Sequence, residues 1–269
     1  MTEPISLTRS HVRHELRQRR LNVAAVRQVT SRIVRITLTG ELDGFAAEGP
    51  TDHLKVFFPD PATGRIATPG FHAGGLGLSA PGTVISRDYT PADHRPGELD
   101  LDMVLHGDAG PASAWASRAA VGDPLVVAGP KTSKLVPDGL TALVLVADES
   151  AFPAAARWLR LAPPAVPVTL LLDAPGAPDD ATRYFDGVTG AQRATIRAGL
   201  ELESELRAMP IDAGTVAFLA GEATMLVPLR RYLRRELGLP PQQVIASGYW
   251  RRGVAGLDHH APIDADDPD

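Results

Sequence analysis

The sequence predicts a β half followed by an α/β half: an N-terminal antiparallel β-barrel, then a C-terminal domain built on an open parallel sheet. Before residue 138, at least six short strand-like runs surround one brief helix, a pattern typical of small barrels. After residue 139, continuous apolar runs alternate with helical segments, which indicates a parallel sheet covered on both faces. The turn Val136-Pro137-Asp138-Gly139 separates the two patterns. We therefore expect domains over 1–138 and 139–257, followed by an acidic tail over 258–269.

The barrel strands are predicted from alternation and from β-branched residues, which suit a pleated, half-buried surface. The run 99–105 is the clearest, because leucine or methionine occupies every second position. Residues 60–81 are rich in glycine, proline and small polar side chains, so we predict a loop there. The most clearly marked of the expected strands cover 23–27, 33–38, 54–58, 99–105 and 124–128.

Four apolar runs predict the parallel strands, over 140–147, 166–172, 216–220 and 244–247. Helices are expected over 151–161 and 223–237. In the second helix, Met225, Leu229 and Leu233 share one face, and Gly238 ends it. The other side carries Arg230, Arg231, Arg234 and Arg235. We interpret these arginines as a solvent-exposed face, with a docking surface for an acidic substrate as the alternative.

Composition excludes several classes of protein. The net charge of −5 argues against nucleic-acid binding, which normally needs a basic surplus. The absence of cysteine excludes disulfides, thiolate nucleophiles, iron–sulfur clusters and cysteine-based zinc sites. No apolar signal segment is evident in residues 1–20, and the longest apolar run, 140–147, is too short to cross a bilayer. Since no long amphipathic seam is present either, we expect a soluble, cytoplasmic monomer without a membrane span.

A basic arm opens the chain and comprises Arg9, Arg13, Arg17, Arg19 and Arg20. Charged side chains are mostly exposed, so we predict a solvated arm. Anion binding is the alternative, because guanidinium groups bind carboxylates and phosphates with two parallel hydrogen bonds.

The segment Ser86-Arg87-Asp88-Tyr89-Thr90 has the chemistry of a ligand site. In an extended chain, Arg87 and Tyr89 face the same side. A guanidinium suits a phosphate, and a phenol ring suits a flat heterocycle. The threonine hydroxyl and a backbone N–H suit a ring heteroatom. The segment therefore favours a flat ligand that carries phosphate.

A second segment, 105–116, reads as a strand end, a Gly-Pro turn and a helix start. Pro111 is suited to the first helical turn, and the N-terminus of a helix attracts anions. Together the two segments predict a binding site for a flavin dinucleotide.

At this point the sequence resembles the siderophore-interacting flavoproteins, which are ferric-siderophore reductases of the ferredoxin-reductase superfamily. The resemblance runs from about Val12 to Trp250. Its motifs are Asp52-His53-x-Lys55-x-Phe57-Phe58-Pro59, Arg87-x-Tyr89-Thr90, His106, Gly110-x-Ala112-Ser113-x-Trp115-Ala116, Gly122-Asp123, Ala128-Gly129-Pro130, Asp148-Glu149-Ser150-x-x-Pro153-Ala154 and Gly248-Tyr249-Trp250.

The resemblance implies a ferredoxin-reductase-like fold, FAD as cofactor, NAD(P)H as electron donor and a ferric siderophore as substrate. The predicted cofactor-binding residues are Arg87, Asp88, Tyr89, Thr90, Val104, Leu105, His106, Gly107, Ala112, Ser113, Tyr249 and Trp250. The predicted substrate-binding residues are Lys55, Lys131 and Arg252. No side chain is assigned to catalysis or to a metal, since the flavin would carry the redox chemistry.

The turn 147–153 departs from an ordinary nicotinamide site, which has a glycine-rich loop at the first strand–helix junction. Asp148 and Glu149 would repel a pyrophosphate, so we predict that Asp148 or Ser150 caps the helix instead. Asp173, at the next strand end, favours a ribose diol over a 2′-phosphate, which leaves NADH and NADPH both open. Tyr249 and Trp250 either pack against the flavin or fill a domain interface.

The expected reaction passes a hydride from NAD(P)H to the flavin and single electrons to iron(III). Iron(II) is held less tightly by hard oxygen ligands and would leave the siderophore. Two alternatives remain open. One is a ferredoxin-reductase-like flavoprotein with another donor or acceptor, such as ferredoxin or a quinone. The other is a siderophore-binding protein without reductase activity.

Overall fold

The structure is a computed structural model that describes residues 7–72, 75–78, 83–106, 110–174, 177–199, 201–254, 257 and 261–267. Its contacts divide the chain into two compact units. The β unit is His11–Ser133, and the α/β unit combines the chain before it with the chain after it. This division assigns residues 7–10 and 134–138 to the α/β unit, whereas the sequence placed them with the barrel. The predicted domain limits at 138 and 257 stay predictions.

The β unit is a curled antiparallel sheet of seven strands with two short two-stranded sheets beside it. Its elements are β1 (His11–Arg13), β2 (Gln18–Gln28), β3 (Ile33–Gly40), β4 (Leu54–Phe57), β5 (Pro69–His72), β6 (Gly75–Leu78), β7 (Ser86–Tyr89), β8 (Pro91–Arg95), β9 (Glu98–Val104), α1 (Pro111–Ala116), β10 (Pro124–Ala128) and β11 (Thr132–Lys134). The order is β7-β4-β10-β2-β3-β9-β8. The edge strands β7 and β8 are joined by Thr90 alone, so the sheet must curl to bring its edges together.

Alternation along these strands builds the core of the β unit. Leu21 and Val23 on β2 point inward, as do Leu99, Leu101 and Met103 on β9, and all are at most 2% exposed. Outward carboxylates on β9 are bonded across the sheet: Asp102 accepts two 2.7 Å bonds from Arg35. The predicted barrel is confirmed. The loop predicted over 60–81 is wrong in part, because it contains the β5–β6 hairpin, whose glycines obscure the strand pattern.

The α/β unit has a five-stranded parallel sheet in the order β14-β13-β12-β15-β16. Its elements are β12 (Ala142–Asp148), α2 (Phe152–Leu161), β13 (Val168–Asp173), α3 (Pro178–Arg183), β14 (Ala194–Ala198), α4 (Leu202–Arg207), β15 (Thr215–Glu222), α5 (Ala223–Arg231) and β16 (Val244–Trp250). A π-helical turn, Tyr232–Glu236, continues α5. The parallel sheet is confirmed, and the strand order reverses between β12 and β15, where ligands bind in such sheets. No helix in the part of the chain described is long and apolar enough to cross a membrane.

The basic arm is folded, and the prediction of a solvated arm is wrong for two of its arginines. Arg9 donates a 2.8 Å hydrogen bond to the Leu135 carbonyl and lies over the Trp158 ring. Arg19 is only 4% exposed, because it occupies an inward position of β2. Strand alternation puts its side chain on the same face as Leu21.

The prediction of a solvent-exposed arginine face on α5 is also wrong for Arg230, which is buried. Arg230 and Arg235 both bind Asp267, and Arg231 binds Asp264 at 2.6 Å. Ile263 is buried in the apolar cluster beneath them. The segment 261–267 thus folds onto the helix, which a local sequence pattern does not reveal.

We expect Asp267→Asn and Asp264→Asn to lower the melting temperature at neutral pH. Arg235 lowers the pKa of Asp267 to about 2, and Arg231 lowers the pKa of Asp264. Both pKa values lie below the usual 3.8, so the stabilisation is present above that pH and is lost as the pH falls through the folded values. The melting temperature of each variant should therefore approach that of the wild type as the pH falls through the folded-state pKa values. Asp186→Asn, an exposed position in the same unit, is the control. A pH-independent difference would contradict the pairing.

Candidate functional site

Arg87 and Tyr89 lie on one face of β7, as predicted. In the register with β4, Arg87 is opposite Val56 and Tyr89 is opposite Leu54, and directly opposite residues share a face. Arg87 donates a 2.7 Å hydrogen bond to the Ser86 carbonyl. Among the residues that the structure describes, its guanidinium makes no ion pair. It is therefore a positive group available to a phosphate.

The ring of Tyr89 is half-buried and packs edge-on to Phe58, with ring centroids 6.3 Å apart. Burial raises the pKa of Tyr89 to about 12, against a smaller opposing effect of Arg87. The phenol therefore stays protonated at neutral pH and offers a hydrogen-bond donor.

The second predicted segment also packs against Phe58. The backbone N–H of His106 donates a 3.0 Å bond to Ser113 Oγ, and Ser113 is buried. Helix α1 starts at Pro111, as predicted. Its Trp115 packs edge-on to Phe58 at 5.6 Å between centroids. Phe58 thus contacts a ring from each of the two predicted segments, which lie on connected surfaces.

The remaining predicted cofactor residues of the β unit divide into groups. Thr90 and Ala112 are buried, whereas Val104 and Leu105 are partly buried beside the same core. Gly107 lies outside the described residues. Asp88 alternates with Arg87 and Tyr89, so it points to the other face of β7. There it binds Lys55, with Nζ 2.8 Å from a carboxylate oxygen.

The predicted substrate cations are exposed. Lys55 is paired in register with Ala128 on β10, and Lys131 comes three residues after that partner. The Lys131 carbonyl accepts a 3.0 Å bond from the His14 N–H. In the α/β unit, Arg252 is held by its backbone N–H, which donates to Glu222 at 3.1 Å, while its side chain is exposed.

In the α/β unit, a buried carboxylate organises the carboxyl edge of the sheet. Asp148, at the end of β12, accepts hydrogen bonds from the N–H and Oγ of Ser150 at 2.9 and 2.5 Å. It also accepts from the Glu222 N–H at 2.8 Å and from Trp250 Nε1 at 2.7 Å. Burial raises its pKa, and the bonds from Ser150 and Trp250 oppose that rise. Asp148 caps the short 3-10 turn Glu149–Ala151 that precedes α2, whereas α2 itself has no side-chain cap, so the predicted capping is confirmed for that turn and not for the helix. Sequence reasoning missed the bonds to Glu222 and Trp250.

Two local features shape this network. A Cβ at Gly221, where φ is +141°, would lie 2.6 Å from Asp148 Cγ, so the close approach requires glycine. The register of β15 and β16 shifts from Gly221–Gly248 to Glu222–Trp250, which leaves Tyr249 as a bulge. Bulges redirect side chains and are frequent beside active sites. Trp250, which follows the bulge, is 40% exposed, while its indole N–H is fixed by the hydrogen bond to Asp148.

Asp173 lies beside Asp148 in the register of β13 and β12. Burial raises its pKa, and the negative charges of Asp148 and Glu222 add to the effect. Three carboxylates therefore line this edge. The Ser150 N–H, which would face a phosphate in a glycine-rich loop, is already bonded to Asp148.

We expect Asp148→Asn to lower the free energy of unfolding by about 2–4 kcal/mol, because an amide brings its own donors toward groups that need an acceptor. Trp250→Phe removes one bond and should cost about 1 kcal/mol. Since the two residues share that bond, the double variant should lose less than the sum, as measured by urea unfolding.

Asp212→Asn is the matched control for this cycle. Asp212 accepts hydrogen bonds from Gly214 and Thr215 at the opposite end of β15. Its effect should add to that of Trp250→Phe. If the effects of Asp148→Asn and Trp250→Phe also added, the coupling through their shared hydrogen bond would be contradicted.

Two family profiles match the chain. Residues 22–134 match a siderophore-interacting FAD-binding domain, and residues 140–253 match the siderophore-interacting protein profile. The NADPH-dependent ferric-chelate reductase of Escherichia coli is 34% identical over 245 residues, which cover 89% of this chain and 95% of that protein. The ferric vibriobactin reductase of Vibrio cholerae is 28% identical, with coverage of 90% and 92%.

Solved structures with a similar fold point to the same family as the two profiles. A siderophore utilization protein from T. fusca has a TM-score of 0.82 and 34% identity, covering 94% of this chain and 100% of its own. The siderophore-interacting protein SipS from Aeromonas hydrophila has a TM-score of 0.70 and 27% identity, with coverage of 88% and 99%. A ferredoxin reductase of carbazole 1,9a-dioxygenase, at 18% identity and a TM-score of 0.61, covers 87% of this chain and 67% of its own and shares the fold. The chain belongs to the siderophore-interacting protein family.

Proposed function

We propose that this protein is an FAD-dependent reductase that transfers electrons from NAD(P)H to the iron(III) of a ferric siderophore and so releases iron(II). The observation that carries the proposal is that Tyr89 on β7 and Trp115 on α1 both pack against the Phe58 ring, which brings together the strand that carries Arg87 and the helix that carries Ser113. These segments supply the cation, the aromatic ring and the hydroxyl that a flavin dinucleotide requires. The names of the relatives, a ferric-chelate reductase and a ferric vibriobactin reductase, support the substrate class.

The residues of the β unit fit FAD. Arg87 offers a guanidinium to a phosphate, and the half-buried Tyr89 ring offers a surface to a flat heterocycle. Ser113 is fixed by its bond to the His106 N–H, so the helix start is held in place. When bound, FAD would convert a two-electron hydride into single electrons, which an iron(III) centre can accept.

The cations of the chain would bring the substrate to that centre. Ferric chelates with catecholate or carboxylate ligands are anionic, and exposed lysines attract them without replacing the iron ligands. Lys55 and Lys131 are both exposed on the β unit. After reduction, iron(II) is held less tightly by hard oxygen donors and can leave.

We expect Lys55→Ala and Lys131→Ala each to lower kcat/KM for an anionic ferric siderophore by at least about tenfold, with the flavin content unchanged. Each loses a charge-assisted contact of about 1.5–3 kcal/mol. Stopped-flow absorbance at the flavin band measures both quantities. Arg27→Ala, which removes an exposed cation from β2, is the control. Loss of flavin from a lysine variant would show that the lysine serves the cofactor. Purified protein that takes up no FAD would refute the proposed function.

The electron donor is proposed as NAD(P)H, with a charge argument for NADH. Asp173 and its neighbouring carboxylates disfavour a 2′-phosphate, although the E. coli relative is named NADPH-dependent. We expect Asp173→Asn to raise kcat/KM for NADPH relative to NADH about fivefold, the effect of roughly 1 kcal/mol between nearby charges. Asp186→Asn should leave the ratio unchanged, and an unchanged ratio in Asp173→Asn would remove Asp173 from donor selection.

The acidic turn at Asp148 favours a second candidate, in which ferredoxin or another protein donor replaces the nicotinamide. In that case neither NADH nor NADPH would reduce the flavin in stopped flow, while reduced ferredoxin would. A cytoplasmic location and a monomeric state stay predictions.

A further inference from the structure

The folded arm forms a basic cavity on the β unit. The cavity has a volume of 280 Å³ and is lined by Arg13, His14, Glu15, Arg17 and Arg19, together with the Gly129–Pro130 turn. A second cavity of 360 Å³ shares Arg13 and His14 and adds Lys131. Volumes of this order approach those of small-molecule sites, which are roughly 300–1,000 Å³. None of Arg87, Tyr89 and Ser113 lines either cavity.

The arm is held in place by the chain around it. β1 pairs with β11, and His14 Nε2 lies 2.7 Å from Ser133 Oγ. The Arg17 carbonyl accepts from the Gly129 N–H at 3.4 Å. Arg13 and Arg17 are therefore presented on a fixed backbone, which lowers the conformational cost of binding.

Arg19 is the unusual group of the cavity wall. Its Nη1 donates to the carbonyls of Glu41 and Asp43 at 3.4 and 3.2 Å, and its guanidinium lies over the Phe45 ring. Its Nε is buried and has no hydrogen-bond partner within the described part of the chain. Burial lowers the pKa of Arg19, and the nearby positive charge of Arg17 adds to the effect, whereas the negative charges of Glu15, Asp43 and Glu41 oppose it.

A buried cation with an unpaired N–H costs free energy, and a bound anion would offset that cost. Three guanidinium groups line the cavity against one carboxylate, Glu15. A singly charged ion would leave half of the net positive charge of these four groups uncompensated. The charge therefore favours a ligand with several negative charges.

We propose that this cavity binds a small, multiply charged oxyanion of the carboxylate or phosphate type. The source is either a free anion or an anionic arm of a ferric chelate, and both present the same oxygen chemistry. Binding of an anionic arm of a ferric chelate rests on the proposed function, whereas binding of a free anion does not.

Calorimetric titration of the protein as purified with citrate tests the site directly, with inorganic phosphate as the less charged probe. We expect one citrate per chain, bound more tightly than phosphate, with an affinity that falls as salt is added. Arg13→Gln and Arg17→Gln should each weaken citrate binding at least about tenfold, since each removes a charge-assisted contact. Both side chains are exposed, so these variants should fold even if a change at Arg19 does not.

Arg20→Gln is the matched control. Arg20 follows Arg19 on β2, is exposed on the opposite face and does not line the cavity, yet it changes the net charge equally. It should leave citrate affinity unchanged. Equal weakening in Arg20→Gln, or no citrate binding by the wild type, would overturn the proposal.

Turnover then separates the two sources. If the cavity takes an arm of the chelate, Arg17→Gln raises KM for ferric citrate but not for an uncharged ferric trihydroxamate. If it takes a free anion, citrate binding is weakened while both KM values are unchanged. Should no chelate be reduced at all, the proposed function fails, and the calorimetry of the arginine variants still decides on the site.

Discussion

The α/β unit depends on the hydrogen bonds to one buried carboxylate. Asp148 is 7% exposed, and such burial is tolerated because donors from Ser150, Glu222 and Trp250 surround it. Those donors follow β12, end β15 and end β16, so a single side chain fixes the carboxyl ends of three neighbouring strands. The same bonds occupy the amide that a dinucleotide-binding turn would offer to phosphate. The turn after β12 therefore positions the Trp250 indole, whereas in dinucleotide-binding sheets the corresponding turn binds a pyrophosphate.

The β unit is constrained by its connections instead. Because Thr90 alone joins the two edge strands, the sheet curls, and Arg87 and Tyr89 come to lie on an edge strand. An edge strand leaves backbone N–H and C=O groups unpaired by any strand on one side. A planar ligand with ring heteroatoms can use those groups, while the Tyr89 ring is supported from below by Phe58. Topology and side-chain chemistry thus favour the same place for a flavin.

Features with a local signature were predictable from the sequence. The parallel strands are continuous apolar runs, and the capping of the first turn by Asp148 is a contact across two residues. Features that depend on distant pairing were not. The bond from Trp250 to Asp148 spans 102 residues, and the ion pair of Arg230 with Asp267 spans 37. β14 was missed because its residues are partly exposed and lack an apolar run. The burial of Arg19 follows from the register of β2, which the charged arm conceals.

The net charge of the whole chain does not show which parts of the protein attract anions. Arg230 and Arg231 on α5 and Arg235 on the π-helical turn are paired with Asp264 or Asp267, so this arginine face is largely neutralised. The carboxyl edge of the parallel sheet is acidic, because Asp148, Asp173 and Glu222 lie on adjacent strands. Arg35, Lys55 and Arg95 of the β unit are also in ion pairs, but other cations of that unit are not neutralised in this way. Arg87 makes no ion pair within the described residues, and Arg13, Arg17 and Arg19 line a cavity together with a single carboxylate. A chain with a net charge of −5 can therefore keep positive side chains exposed on its β unit, because its net negative charge belongs to the other unit.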